Sequence, residues 1–125
     1  MRNLFETLAT KDKEYQFRFT AANCVALEQE ENTAVLNLLE RAGELKILAK
    51  LYFCAGKSLN DDFRTIQDVY QMIDDYILEG HTMVELQEKL VDIYYCSGLI
   101  NDQVYEMAKK GADAQIAELE KLMNA

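Results

Sequence analysis

The chain contains no proline, one histidine and five scattered glycines in 125 residues. Without proline, helices can run without the lost N–H and ring clash that proline brings. The glycines read as helix stops, and none forms a Gly-rich phosphate loop. A single imidazole, His81, with no cysteine near it leaves little for a metal site. No run of 18 apolar residues occurs, so no membrane span is expected. The segment Met1-Arg2-Asn3-Leu4-Phe5-Glu6 has no apolar region and carries an early acid, and is not expected to be a secretory signal.

Half of the residues are hydrophobic and 28% are charged, enough to bury one core. One domain spanning residues 1–125 is therefore expected. Cys24, Cys54 and Cys96 are odd in number, widely spaced and set in apolar stretches. Buried free thiols and a cytoplasmic location follow as expectations.

Charge is segregated. Residues 1–59 carry eight basic and eight acidic residues, whereas residues 60–125 carry five basic and 14 acidic, the whole net of −9. Phosphates would be repelled by the second half, which disfavours DNA or RNA. Two readings remain for the excess: a solvated face, or a surface that attracts a basic partner.

Tyr15, Phe17 and Phe19 alternate with Gln16 and Arg18, the period of a strand. Residues 3–9 can pair with residues 14–19 around the turn Thr10-Lys11-Asp12-Lys13, making a β-hairpin within residues 1–20. Its aromatic face needs helices to pack on. After Thr20 as N-cap, residues 21–31 read as a helix with Cys24, Leu27 and Val25 as inward candidates. Asn32 or Thr33 is expected to cap the next segment, which holds Val35, Leu36 and Leu39. Gly43 breaks it. Leu45, Leu48, Leu51 and Tyr52 mark a further helix that stops at Gly56. Asn60 is expected to cap the following one, with Asp61 and Asp62 in its first turn. Phe63, Ile66, Val69, Tyr70, Ile73, Tyr76 and Ile77 then step by threes and fours to Gly80. Thr82 and Glu85 spell a capping box ahead of Met83, Leu86, Leu90, Ile93 and Tyr94, and Gly98 ends that helix. A last helix, residues 101–125, starts at Asn101 or Asp102. Its stripe is Val104, Ala108, Ala112, Ile116, Leu119 and Met123. Whether it packs on the core or projects stays open. The expected fold class is mainly α: five or six helices with a small N-terminal β-hairpin.

Nothing spells catalysis. His81 follows a helix-stop glycine and reads as a surface loop residue. Asp61, Asp68 and Asp75 would share one helix side about 10 Å apart, too far for one ion. Glu28, Glu30 and Glu31 read as the exposed end of a short helix. Ser58 and Ser97 have no histidine partner. No enzyme, cofactor or metal is therefore expected. Of Tyr94 and Tyr95, one faces the core and the other can anchor a partner.

Two blocks of sequence resemble a known family. One is Lys13-Glu14-Tyr15-Gln16-Phe17-Arg18-Phe19-Thr20, followed by a helix ending in Leu27-Glu28. The other is Asp68-Val69-Tyr70 through Ile73-Asp74-Asp75-Tyr76-Ile77-Leu78-Glu79-Gly80, then Val84-Glu85-Leu86 and Ser97-Gly98-Leu99. In order and spacing they are similar to tail assembly chaperones of long non-contractile-tailed (siphovirus-type) phages and prophages of Gram-positive hosts. The resemblance covers about half the chain; Glu30-Glu31-Asn32 departs from it, and residues 40–60 find no match in it. It implies a non-enzymatic helical protein in the cytoplasm of the bacterial host. That protein would bind the tape measure protein, keep it soluble and help recruit the major tail tube protein. It also implies a longer form made by translational frameshift. Self-association is left open, and no nucleic acid or membrane partner is expected. Partner-binding candidates are Tyr95, Val104, Met107, Ile116, Leu119, Leu122 and Met123. The competing expectation is a small acidic helical adaptor that binds and blocks a protein partner. A neighbouring tape measure gene would favour the first, an operon of regulators the second.

Ile73 and Leu90 sit centrally in their stripes. Truncating either to Ala is expected to cost roughly 2–5 kcal/mol, as core truncations do. Chemical denaturation checks this, and a loss under about 1 kcal/mol would show the stripe to be misassigned.

Overall fold

The alternation makes a strand over Tyr15 and Phe17, which stops short of Phe19. A computed structural model describes residues 2–111. Strands β1 (Glu6–Ala9) and β2 (Glu14–Phe17) pair antiparallel, with Leu8 opposite Tyr15 and Ala9 opposite Glu14. The N–H of Thr10 donates to the Lys13 carbonyl at 2.8 Å and closes the turn. Leu8, Tyr15 and Phe17 share one face and are buried, because successive strand residues point to opposite sides.

Helices make up the rest, six among the described residues. They are α1 (Ala21–Glu31), α2 (Val35–Glu40), α3 (Leu45–Gly56), α4 (Ile66–Leu78), α5 (Met83–Cys96) and α6, residues 102–111. Helix α3 is the centre. Ile47, Leu48, Leu51, Tyr52 and Ala55 on it are buried. It touches β2, α1, α2, α4 and α5.

The hairpin lies on α3 through aromatic rings. Phe17 meets Tyr52 edge-on, with centroids 5.1 Å apart, and Tyr15 stacks on Phe63 at 5.1 Å. Further along, Phe19 meets Tyr94 edge-on at 4.9 Å. Both geometries suit the ring quadrupoles. Gly56 makes this approach possible: a Cβ there would lie 2.6 Å from Phe63 and 2.8 Å from Phe17. It ends α3, but what matters in the packing is the missing side chain, since only Gly80 and Gly98 among the described glycines have positive φ.

Two buried tyrosines tie the helices by their hydroxyls. Tyr52 donates to the Leu86 carbonyl at 2.6 Å, and Tyr94 donates to the Val35 carbonyl at 2.7 Å. Each brings a polar group into the core with its partner supplied. Arg18 donates to the carbonyls of Leu4 and Cys96, and Ser97 accepts from the Phe19 N–H at 2.8 Å. The end of α5 is thereby fastened to the hairpin.

Several expected caps are moved. Asn60 does not start a helix. Its side chain accepts from the Gln16 N–H at 3.0 Å and donates to the Gln16 and Gly56 carbonyls at 2.7 and 2.8 Å. It thus pairs with β2 as a neighbouring strand residue would. Helix α4 begins after Thr65, where Asp68 accepts from the Arg64 and Thr65 N–H groups. Those backbone bonds hold the Asp68 carboxyl below its ordinary range. Asp61 consequently lies outside α4, and the aspartates do not line one helix. Asn32 ends α1 in the left-handed region (φ 55°) rather than starting α2, a conformation that asparagine tolerates. Neither it nor Thr33 caps α2: Ala34 precedes that helix, and the Glu28 carboxylate accepts the Val35 N–H at 2.8 Å.

The stripes are also narrower than expected. Val25, Leu36 and Leu45 are exposed. On α4 the inward set is Val69, Met72, Ile73 and the half-buried Tyr76, while Tyr70 and Ile77 face out. The spacing i, i+3, i+4, i+7 still holds, rotated by about one position. Thr20, the Thr82–Glu85 box and Asn101 cap as expected.

Gly56→Ala is expected to destabilise by about 1–3 kcal/mol, because the methyl group overpacks a site lined by two rings. Urea denaturation reads this directly; an unchanged midpoint would mean that Phe17 and Phe63 yield freely.

Candidate partner-binding site

Helix α6 is fastened to α5 over its first turns. Tyr105 stacks on Tyr95 with centroids 4.2 Å apart, and its hydroxyl donates to Asp92 at 2.7 Å. Lys109 pairs with Asp92 at 2.8 Å. Burial first, then the Asp92 hydrogen bond, push the Tyr105 phenol up from its ordinary range. The Tyr95 hydroxyl donates to Asp102 at 2.6 Å. Ring and hydroxyl of Tyr95 are thus both engaged within the chain.

Beside this seam runs an open groove of about 310 Å³ between α2, α5 and α6. Leu39, Ala42 and Gly43 form one wall, Val84 and Val91 the floor, and Ala108 and Gly111 the other wall. Glu40, Gln87 and Glu88 supply its polar edge. Val104 and Met107 are 45% and 66% exposed. By helical spacing, positions 104, 107, 108 and 111 follow one side of α6. Ile116, Leu119, Leu122 and Met123 lie outside the described residues. The structure leaves Val104 and Met107 exposed on α6; neither lines the groove, whose walls sequence reasoning missed. Gly43 and Gly111 were legible only as helix breakers; that they line one groove depends on how α2 packs against α5.

Elsewhere the chemistry-bearing side chains serve the fold. His81 stacks on Tyr76 at 4.0 Å, and its Nδ1 lies 3.2 Å from Glu85, the capping-box carboxylate. Ser97 donates to the Ile93 carbonyl, and Ser58 accepts from Asn23. Glu30 and Glu31 pair with Lys50, and Glu31 is half-buried rather than a fully exposed helix end. Among the described residues no three His, Cys, Asp or Glu side chains group closely enough to hold a metal ion. None of the described helices is long and apolar enough to cross a membrane.

All three thiols are buried. Burial pushes Cys54 up to about 12 and raises Cys24 and Cys96. A thiol that keeps its proton is a poor nucleophile.

In comparisons with known proteins, the chain matches no family model, no curated protein and no solved structure.

The buried thiols and the buried phenols of Tyr52 and Tyr94, which burial also raises, set an alkaline limit. The native state holds these protons after the unfolded chain has released them, so stability falls as pH rises. Their contribution is complete below about pH 8.5, the free thiol range, and for Cys54 is lost on the way to about 12. The urea midpoint is expected to stay level from neutral pH to about 8.5 and then to decline. In Cys54→Ala the decline should be shallower. A level profile up to pH 11 would contradict this account of the core.

Proposed function

We propose that the chain is a tail assembly chaperone of the phage type. It seats an apolar, partly basic helix of a tape measure protein on the α2–α5–α6 groove and keeps that protein soluble during assembly. The observation that carries this reading is the apolar groove with Glu40 and Glu88 at its edge; Val104 and Met107 are exposed on the helix that supplies its Ala108 and Gly111 wall. The resemblance in the two sequence blocks supplies the partner's identity.

The physical logic is that of a helix in a groove, read by anchors at i, i+3, i+4 and i+7. Ala42, Gly43, Ala108 and Gly111 are small, so a partner helix can come close, and interaxial distance follows side-chain size. Burial of the partner's apolar stripe supplies the affinity, less the cost of association. The acidic second half of the chain sets association rate and partner choice.

Val104→Glu together with Met107→Glu should leave the fold intact, since both side chains are exposed. Co-expressed with a tape measure protein, the double variant is expected to recover about tenfold less soluble partner than the wild type, because two anchors become buried charges. A chain lacking residues 112–125 should also bind less. Equal recovery by all three forms would put the site elsewhere.

A further inference from the structure

A second groove, of about 370 Å³, runs between α1, α3 and α4, on elements other than those lining the first. Its apolar floor includes Phe53, Ile66 and Tyr70, and its edge carries Lys46, Lys50 and Lys57 with one acid, Glu30. On α3 and its C-cap these lysines stand at i, i+4 and i+11, one face of the helix. Lys46 to Lys57 covers about 16 Å at the helical rise. The Lys57 ammonium lies 5.6 Å from the Phe53 ring centre. Glu30 and Glu31 engage Lys50. Lys46 and Lys57 are exposed and make no ion pair among the described residues.

We infer that this groove docks an acidic amphipathic helix of a protein partner, with an apolar stripe over Phe53 and Tyr70 and carboxylates against Lys46 and Lys57. Charge complementarity decides the occupant. The chain carries −9, so an acidic segment is repelled by most of its surface and finds opposite charge here. The apolar floor supplies contact area, and the Lys46 and Lys57 ammonium groups set direction and register. About three helical turns match the distance between the outer lysines. The inference stands apart from the tape measure reading, because it concerns another surface and the opposite sign of partner. The chain would then hold one basic and one acidic partner on different grooves.

The test uses the full chain and two fluorescein-labelled helical peptides of about 18 residues, roughly 27 Å long. They share one leucine stripe, flanked by Glu in one peptide and by Lys in the other. Fluorescence anisotropy is expected to show the Glu peptide binding, and Lys46→Glu with Lys57→Glu weakening it at least about tenfold. The Lys peptide should keep its affinity for that variant. Circular dichroism confirms that the variant is folded; if it is not, Lys46→Ala with Lys57→Ala takes its place, with a smaller loss in the same direction. No binding of the Glu peptide, or binding that neither variant weakens, overturns the proposal. Sedimentation of the chain alone adds a third outcome: a dimer that the variant dissolves would seat a second copy in the groove and overturn it as well.

Discussion

The close approach of the hairpin to α3 is the constraint on which the rest of the molecule depends. A two-stranded hairpin is marginal by itself, and here it becomes stable as a lid of aromatic rings. Phe17 reaches Tyr52 because Gly56 has no side chain to hold it off. Phe63 fills the same space from the other side, and Asn60 seals the edge of β2 with three hydrogen bonds. Tyr52, held in place by this packing, carries its hydroxyl to the start of α5 at Leu86. Tyr94 on α5 does the same for the start of α2 at Val35, under Phe19. Ring by ring, the hairpin thus positions α3, α5 and α2, and with them the walls of the α2–α5–α6 groove.

Much of this is legible in the residues because local signals and global fold agree. The alternation of Tyr15 and Phe17, the cap at Thr20 and the Thr82–Glu85 box each act over a few residues, and each appears where expected, though the strand stops short of Phe19. Signals that need a distant partner are not legible. Asn60 has the chemistry of an N-cap, but a backbone 44 residues away in sequence, at Gln16, takes its side chain. Val35 is capped by Glu28, seven residues back and on another helix. Met72 replaces Ile77 in the core because the packing of α4 on α3 sets the helix rotation, which a broad apolar stripe leaves open. The groove belongs to this second kind: it joins Gly43, Val91 and Gly111, and no spacing rule links them.

The segregation of charge takes on meaning beside the two grooves. The excess acid belongs to the half that contains α5 and α6, next to the apolar α2–α5–α6 groove. The neutral half carries the lysines of α3 along the other groove. Both grooves have apolar floors, and their edges differ in charge. His81, Ser58 and Ser97 are each engaged in a local contact, and the thiols are buried.

The central claim is that the α2–α5–α6 groove receives an apolar helix. It is tested most directly by nuclear magnetic resonance titration of the isotope-labelled chain with a basic amphipathic segment of a tape measure protein. The account predicts that amide shifts at Gly43, Val84, Val91 and Gly111 change together and saturate, while those around Lys46 and Lys57 stay put. Saturating changes at the lysine-edged groove, or none at the four groove residues, would contradict it.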